Sequence, residues 1–223
     1  MDTEQEHTVR LSDTSRVEAF SDGVLAIVIT LLVLDLRAPQ VEPGGLLSGL
    51  AAQWPGYLAY VTSFHYIGVI WLNHHAAFHR ISLIDRPLHW ANLGILFTAA
   101  LLPFPTSVVS QALQRDNLAD AQAAVGLYAL IGVLLALSWL VFFHYLSRHP
   151  NLVEDGVEDG FFHRECTRAW AGIVLYTAAG VLGILITPLA GLVIFFALTV
   201  FHGLTSHGLS ELPSLRRRAT TGR

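Results

Sequence analysis

Charged residues are missing from four long stretches of the chain, and those stretches set its elements. No Asp, Glu, Lys or Arg occurs between Glu42 and Arg80, from Pro87 to Gln114, from Ala121 to Ser147, or from Ala169 to Ser210. A helix that crosses a bilayer takes roughly 20 apolar residues. Each of the first three stretches therefore holds one span, and the last holds two, divided at Thr187-Pro188. The segment Arg16–Leu36 adds another, giving six spans at about 16–36, 51–78, 88–112, 121–146, 168–187 and 189–209. A soluble helical bundle would need polar or charged residues along its outward faces, and these windows carry no charge at all.

The first span differs from the rest. Its uncharged core runs only from Gly23 to Leu34, twelve residues, and it carries Glu18, Asp22 and Asp35. Charged groups facing lipid are expensive and normally turn toward a bundle interior or a cavity. At about 100° per residue, Arg16, Phe20, Gly23, Ile27, Thr30, Leu31 and Leu34 form one stripe. Asp22 lies on roughly the opposite side, with Ser21 between. The end of the second span offers Asn73, His74, His75 and His79 as partners, and the start of the third offers His89, Trp90 and Asn92. The expectation is a hydrogen-bonded Asp–His or Asp–Asn pair. Such a pair would tie the first helix to its own bundle and leave the aliphatic stripe free to face elsewhere.

Composition strengthens the membrane reading. The chain is 53% hydrophobic and 13% charged, with a mean hydropathy of +0.52, where soluble domains carry about 25% charge. Lysine is absent, so the basic residues fix orientation through Arg alone. With the N-terminus inside, Arg10, Arg16, Arg80, Arg86, Arg148, Arg164, Arg168, Arg216, Arg217, Arg218 and Arg223 fall on inner segments, against Arg37 and Arg115 outside. The positive-inside rule then puts both termini in the cytoplasm, as an even number of spans requires. Residues 1–13 read as a disordered cytosolic N-terminus, 14–210 as a single transmembrane domain, and 211–223 as a basic cytosolic tail. No secretory signal is apparent, and one cysteine, Cys166, allows neither a disulfide framework nor a multi-cysteine metal site. The net charge of −4 gives no reason to expect nucleic acid as a partner.

The chemistry carried by the spans is sparse. A Thr-Val-Gly-Tyr-Gly carbonyl filter does not occur, and no Arg ladder suggests a voltage sensor. His75 and His79 have ligand-compatible spacing on one helical face. The sequence shows no third ligand for them, so neither a metal nor a cofactor is expected. Ser21, Asp22 and His74 are the right types for a hydrolytic set, but no nucleophile-elbow or metalloprotease signature accompanies them, so an enzyme is not expected. A secondary transporter is an alternative, although no inverted repeat or pair of broken helices is visible; a non-conducting membrane scaffold is another.

The motif Arg16-x-x-x-Phe20-Ser21-Asp22, followed by Ala26-Ile27-x-x-Thr30-Leu31-Leu32, resembles the transmembrane protein 175 family of lysosomal and prokaryotic potassium channels. The likeness continues in Trp71-x-x-His74-x-x-x-Phe78, in Asn92-Leu93 and in Leu102-Pro-Phe-Pro-Thr106. It implies an all-α membrane protein of six transmembrane helices per subunit. Four subunits would surround a central pore lined by the first helix. The larger eukaryotic members carry two repeats, whereas this chain has one Phe-Ser-Asp motif, which fits a homotetramer in a prokaryotic plasma membrane. Carried over by position, Ile27 would form the main hydrophobic constriction, with Leu31 and Leu34 as further layers and Thr30 contributing to ion preference. Arg16, Phe20, Ser21 and Asp22 would hold the helix in place with His74 and Asn92. The resemblance thus implies K⁺ as the permeant ion, passing an apolar constriction that gates by dewetting.

Overall fold

The computed structural model describes residues 14–115 and 117–204. Helix α1 (Thr14–Leu31) tightens into a 3-10 turn at Leu32–Asp35. A Pro/Gly-rich loop leads to the short α2 (Leu46–Ala52) and the long α3 (Trp54–Phe78). Then follow α4 (Arg86–Ala100), α5 (Pro103–Gln114), α6 (Leu118–Arg148), α7 (Phe161–Leu185) and α8 (Pro188–Leu204). Among the described residues, β pairing is limited to one isolated bridge between Ile81 and Val153. Both expected tails, 1–13 and 211–223, and the end of the last expected span beyond Leu204 lie outside the described residues.

Among the described residues, four segments are both long and apolar enough to cross a membrane: Thr14–Asp35, Arg86–Gln114, Leu118–Arg148 and Phe161–Leu185. Pro188–Leu204 is apolar but shorter. Helix α3 has the length, at 25 residues, or about 37 Å at 1.5 Å per residue. Its apolar character is diluted by Tyr57, Tyr60, His65, Tyr66 and Asn73 and by the histidines at its end.

The helix boundaries follow local chemistry. The span expected at about 88–112 is interrupted, because Pro103 has no N–H and its ring crowds the carbonyl four residues back. The chain closes α4 with tighter bonds, Leu101 N–H to Thr98 C=O at 3.3 Å and Leu102 N–H to Ala99 C=O at 3.0 Å. Helix α5 restarts with Pro103 in its first turn. Helix α7 begins at Phe161, seven residues before the expected 168. A charge-free window cannot include Arg164, Glu165 or Arg168, but these residues form the helix's first turns, with Arg168 paired to Glu165 at 3.0 Å. Thr187 caps α8, its hydroxyl accepting from Ala190 N–H at 3.1 Å.

Helix α6 packs most extensively against α7, which lies along it. Small residues bring them together, as expected where lipid tails are no less apolar than leucine. A Cβ placed on Gly180 would lie 2.4 Å from the Ala129 Cβ, and one on Gly183 would lie 2.6 Å from Val125. Helix α8 folds back on α7 so closely that a Cβ on Gly191 would meet the Gly183 Cα at 2.8 Å. Helices α3, α5 and α6 share a buried polar knot, in which Ser63 Oγ meets Thr106 Oγ1 at 2.7 Å and Tyr128 OH at 2.9 Å. The α3–α4 and α6–α7 links are stitched by Ser82 N–H to Leu152 C=O and Glu154 N–H to Arg80 C=O, both 2.9 Å. The Arg80 guanidinium lies over the Phe161 ring, 4.5 Å from its centroid.

Candidate functional site: the three faces of the first helix

Helix α1 is the most weakly covered of the long apolar helices. In its apolar window 22% of residues are buried, against 50% for the α4–α5 segment and for α6. What is buried forms one seam, Ser21, Leu25, Val28 and Leu32, laid against α3 and α4. Nearly opposite, about 140° around the helix, the stripe read from the sequence stays bare. Ile27 is 60% exposed, Leu31 43% and Leu34 68%, and Arg16, Phe20, Gly23 and Thr30 are exposed beside them. The Thr30 hydroxyl donates back to the Ile27 carbonyl at 2.8 Å. Its proton is thereby committed, and its remaining oxygen lone pairs are left for an outside donor or cation.

Behind the seam, a polar chain fixes α1 to α3 and α4. Ser21 is fully buried and its hydroxyl donates to Val17 C=O at 2.9 Å. Its oxygen accepts from the Asn92 amide at 3.0 Å. That orients the Asn92 Oδ1 toward His74, whose Nε2–H donates to it at 2.8 Å. His74 stacks on Phe78 with ring centroids 4.2 Å apart. The other ring nitrogen, Nδ1, is buried without a hydrogen-bond partner.

Asp22 takes a different partner from the one expected. It pairs with neither a histidine nor an asparagine; the Trp71 indole N–H donates to its Oδ1 at 3.0 Å. The reason is angular. Asp22 follows Ser21 by one residue and so points about 100° away from it, past the buried His74–Asn92 pair and toward the flank of α3. One turn earlier, Glu18 Oε1 lies 2.8 Å from His75 Nδ1. Glu18 and Asp22 thus meet His75 and Trp71 in reverse order, two rungs of an antiparallel ladder. Sequence reasoning named Glu18 and Trp71 but did not pair them, although Glu18/Asp22 and Trp71/His75 share the four-residue spacing that such a ladder needs.

The structure therefore brings Ser21, His74 and Asn92 into one network and sets Asp22 beside it on the α3 flank. Ile27, Thr30, Leu31 and Leu34 share the uncovered stripe. Arg16 and Phe20 lie on that stripe as well, rather than in the network. At the far end of α1, Asp35 borders a polar cleft lined by Gln53, Ser107, Gln111 and Gln114.

These features define a polytopic helical membrane protein whose leading helix is docked on one side and bare on the other. The family model described as the endosomal/lysosomal potassium channel TMEM175 matches residues 16–103, which include every residue named on α1, α3 and α4. A protein named as a potassium channel from Streptomyces collinus is 43% identical over 149 residues, covering 66% of this chain and 71% of that one. The crystal structure of a lysosomal potassium-selective channel TMEM175 homolog from Chamaesiphon minutus superposes with a TM-score of 0.75 at 33% identity, covering 87% of this chain and 98% of that one. The human endosomal/lysosomal proton channel TMEM175 is 30% identical over 84% of this chain, which spans 38% of the human protein. The chain belongs to the TMEM175 family.

Proposed function

We propose that this chain is one subunit of a potassium-permeable cation channel in a prokaryotic plasma membrane, built from four copies around α1. Six helical segments would cross the bilayer, with both termini cytoplasmic. The observation that carries this reading is the bare stripe. The first helix of a family member keeps Ile27, Leu31 and Leu34 exposed within its own protomer, in line with one another. Relatives named as potassium channels support the choice of ion.

Four Ile27 side chains meeting on an axis would leave no polar surface for water, and a bare cation does not cross dry hydrocarbon cheaply. The ring is then a gate that closes by dewetting, without a backbone-carbonyl filter. Leu31 and Leu34 would extend the constriction along the pore. Opening widens the ring enough for a partly hydrated ion, and K⁺ sheds water more readily than Na⁺. The Thr30 oxygen, its proton already given to Ile27 C=O, would offer an acceptor to such an ion.

The test is downhill K⁺ flux from liposomes holding the purified full chain, together with the stoichiometry of the solubilised particle. A channel passes K⁺ without a coupled ion and elutes as four copies. Flux that requires a second ion would make it a transporter, and absence of flux would make it a non-conducting scaffold. Because the human relative is named as a proton channel, the assay includes a proton gradient as a separate arm.

A further inference from the structure

Glu18, His75 and His79 converge where the start of α1 meets the end of α3, and one donor atom from each lies within 4.8 Å of the others. His75 stands in the middle: its Nδ1 is 2.8 Å from Glu18 Oε1 and its Nε2 is 3.0 Å from His79 Nε2. The two imidazole planes are nearly perpendicular, at 86°. Histidines four apart on a helix share a face, and here both turn the same nitrogen to the same point.

We propose that His75 and His79 bind a Zn²⁺-class divalent cation through their Nε2 atoms, with Glu18 as the outer carboxylate that holds His75 in the ligating tautomer. The distances suit it. With Zn–N bonds of about 2.0–2.1 Å in a tetrahedral site, two ligating nitrogens stand about 3.3 Å apart. The observed pair need open by only about 0.3 Å to admit an ion on that geometry. A carboxylate on Nδ1–H leaves Nε2 unprotonated and more basic, the usual support for a metal-bound imidazole. Glu18 also supplies negative charge beside the ion. Arg80, next in sequence to His79, is turned away: its guanidinium covers Phe161 and donates to Ala76 C=O. Two imidazoles favour Zn²⁺, Co²⁺, Ni²⁺ or Cu²⁺ over Mg²⁺, Ca²⁺ or K⁺, which prefer oxygen. The remaining coordination positions fall to water, since His79 is exposed. The bound ion would reach α1 through Glu18 and so reinforce the junction of the two helices. This site stands whether or not the chain conducts ions.

Without metal, the same distances describe a Glu–His–His hydrogen-bond chain, so binding itself is what must be measured. The probe is Zn²⁺, titrated calorimetrically into the full chain after removal of any affinity tag and of bound metal, with Mg²⁺ and Ca²⁺ as controls. The expected result is one saturable Zn²⁺ per chain and no response to the controls. His79→Ala, at an exposed position where α3 ends, should abolish that binding while leaving the elution volume unchanged. Glu18→Gln should weaken it 10- to 100-fold without changing stoichiometry. No saturable binding by the unaltered chain, or binding that survives His79→Ala, would overturn the site. Unchanged affinity in Glu18→Gln would remove Glu18 from its positioning role.

Discussion

Replacing Asn92 with Leu removes the centre of the dock that holds α1. Leucine keeps the branched four-atom skeleton of asparagine, though its methyls are bulkier, and the side chain is only 2% exposed, so the variant removes the hydrogen bonds at the cost of some extra bulk. Two bonds go: His74 Nε2–H to Oδ1 at 2.8 Å and the amide N–H to Ser21 Oγ at 3.0 Å. Ser21 suffers little, because its hydroxyl keeps the bond to Val17 C=O. His74 suffers more. Its Nδ1 is already without a partner, and a stranded Nε2–H would leave a buried imidazole with no hydrogen bond. A stranded buried donor costs about 1–3 kcal/mol, and a lost neutral bond costs about 0.5–1.5. Inter-helix hydrogen bonds in membranes measure lower, about 0.6 kcal/mol on average and about 1.7 at most, because the unfolded reference also finds partners. We therefore expect Asn92→Leu to cost about 2 kcal/mol. The partner variant is His74→Phe, which keeps the stacking on Phe78. Reversible unfolding of both single variants and the double variant in mixed micelles gives the coupling. The double variant should be more stable than the sum of the singles by about 0.6–1.7 kcal/mol. Strict additivity, or an Asn92→Leu variant within about 0.5 kcal/mol of the parent, would refute the dock.

Ile27→Asn should wet the constriction, raising resting current and lowering K⁺ over Na⁺ preference in bilayer recordings; unchanged current and reversal potential would remove Ile27 from the role. Thr30→Val keeps the shape but removes the hydroxyl, so the K⁺/Na⁺ ratio should fall while Ile27 variants retain the larger effect on resting current. Asp22→Ala leaves the Trp71 indole N–H unpartnered and should reduce the fraction of assembled particle on size exclusion more than it alters selectivity in what assembles. Gly180→Ala sets a Cβ 2.4 Å from that of Ala129, and the overpacking should cost about 1–3 kcal/mol, read as a lower unfolding midpoint.

The stripe on α1 was legible in the sequence because it needs only a period of 3.6 residues and an absence of charge. The structure leaves uncovered the residues that the period lines up, from Phe20 to Leu34. The partner of Asp22 was not legible. Choosing between histidine, asparagine and tryptophan requires the rotation of α3 against α1, and a charge-free window is silent about rotation. The same silence hid the partner of Glu18, which reads as an interfacial acid until His75 is brought to 2.8 Å. The start of α7 was missed for the opposite reason. Arg164, Glu165 and Arg168 count against a span, but a helix continues past the membrane boundary wherever its charges can pair or reach water. Pro103 marked its break openly, yet apolar residues on both sides made a single span the simpler reading.

The rotation of α1 also explains why a short apolar helix carries acids at all. Its seam of Leu25, Val28 and Leu32 gains little by packing on a neighbour, since lipid solvates leucine as well as protein does. Apolar contacts alone would let the helix turn about its own axis and carry Ile27 off the uncovered face. Polar contacts resist turning because each has a direction. One lies at Ser21, bonded to Asn92 behind the seam. Others lie at Glu18 and Asp22, bonded to His75 and Trp71 about 60° and 100° farther round. Contacts in two directions fix a rotation that one would leave loose. The adjacency of Ser21 and Asp22, which makes them a poor proton relay, is what makes them a good pair of stops. The stripe that faces away from both is then set by geometry. In the proposed channel, the orientation of Ile27 would then depend on residues that lie away from its exposed face.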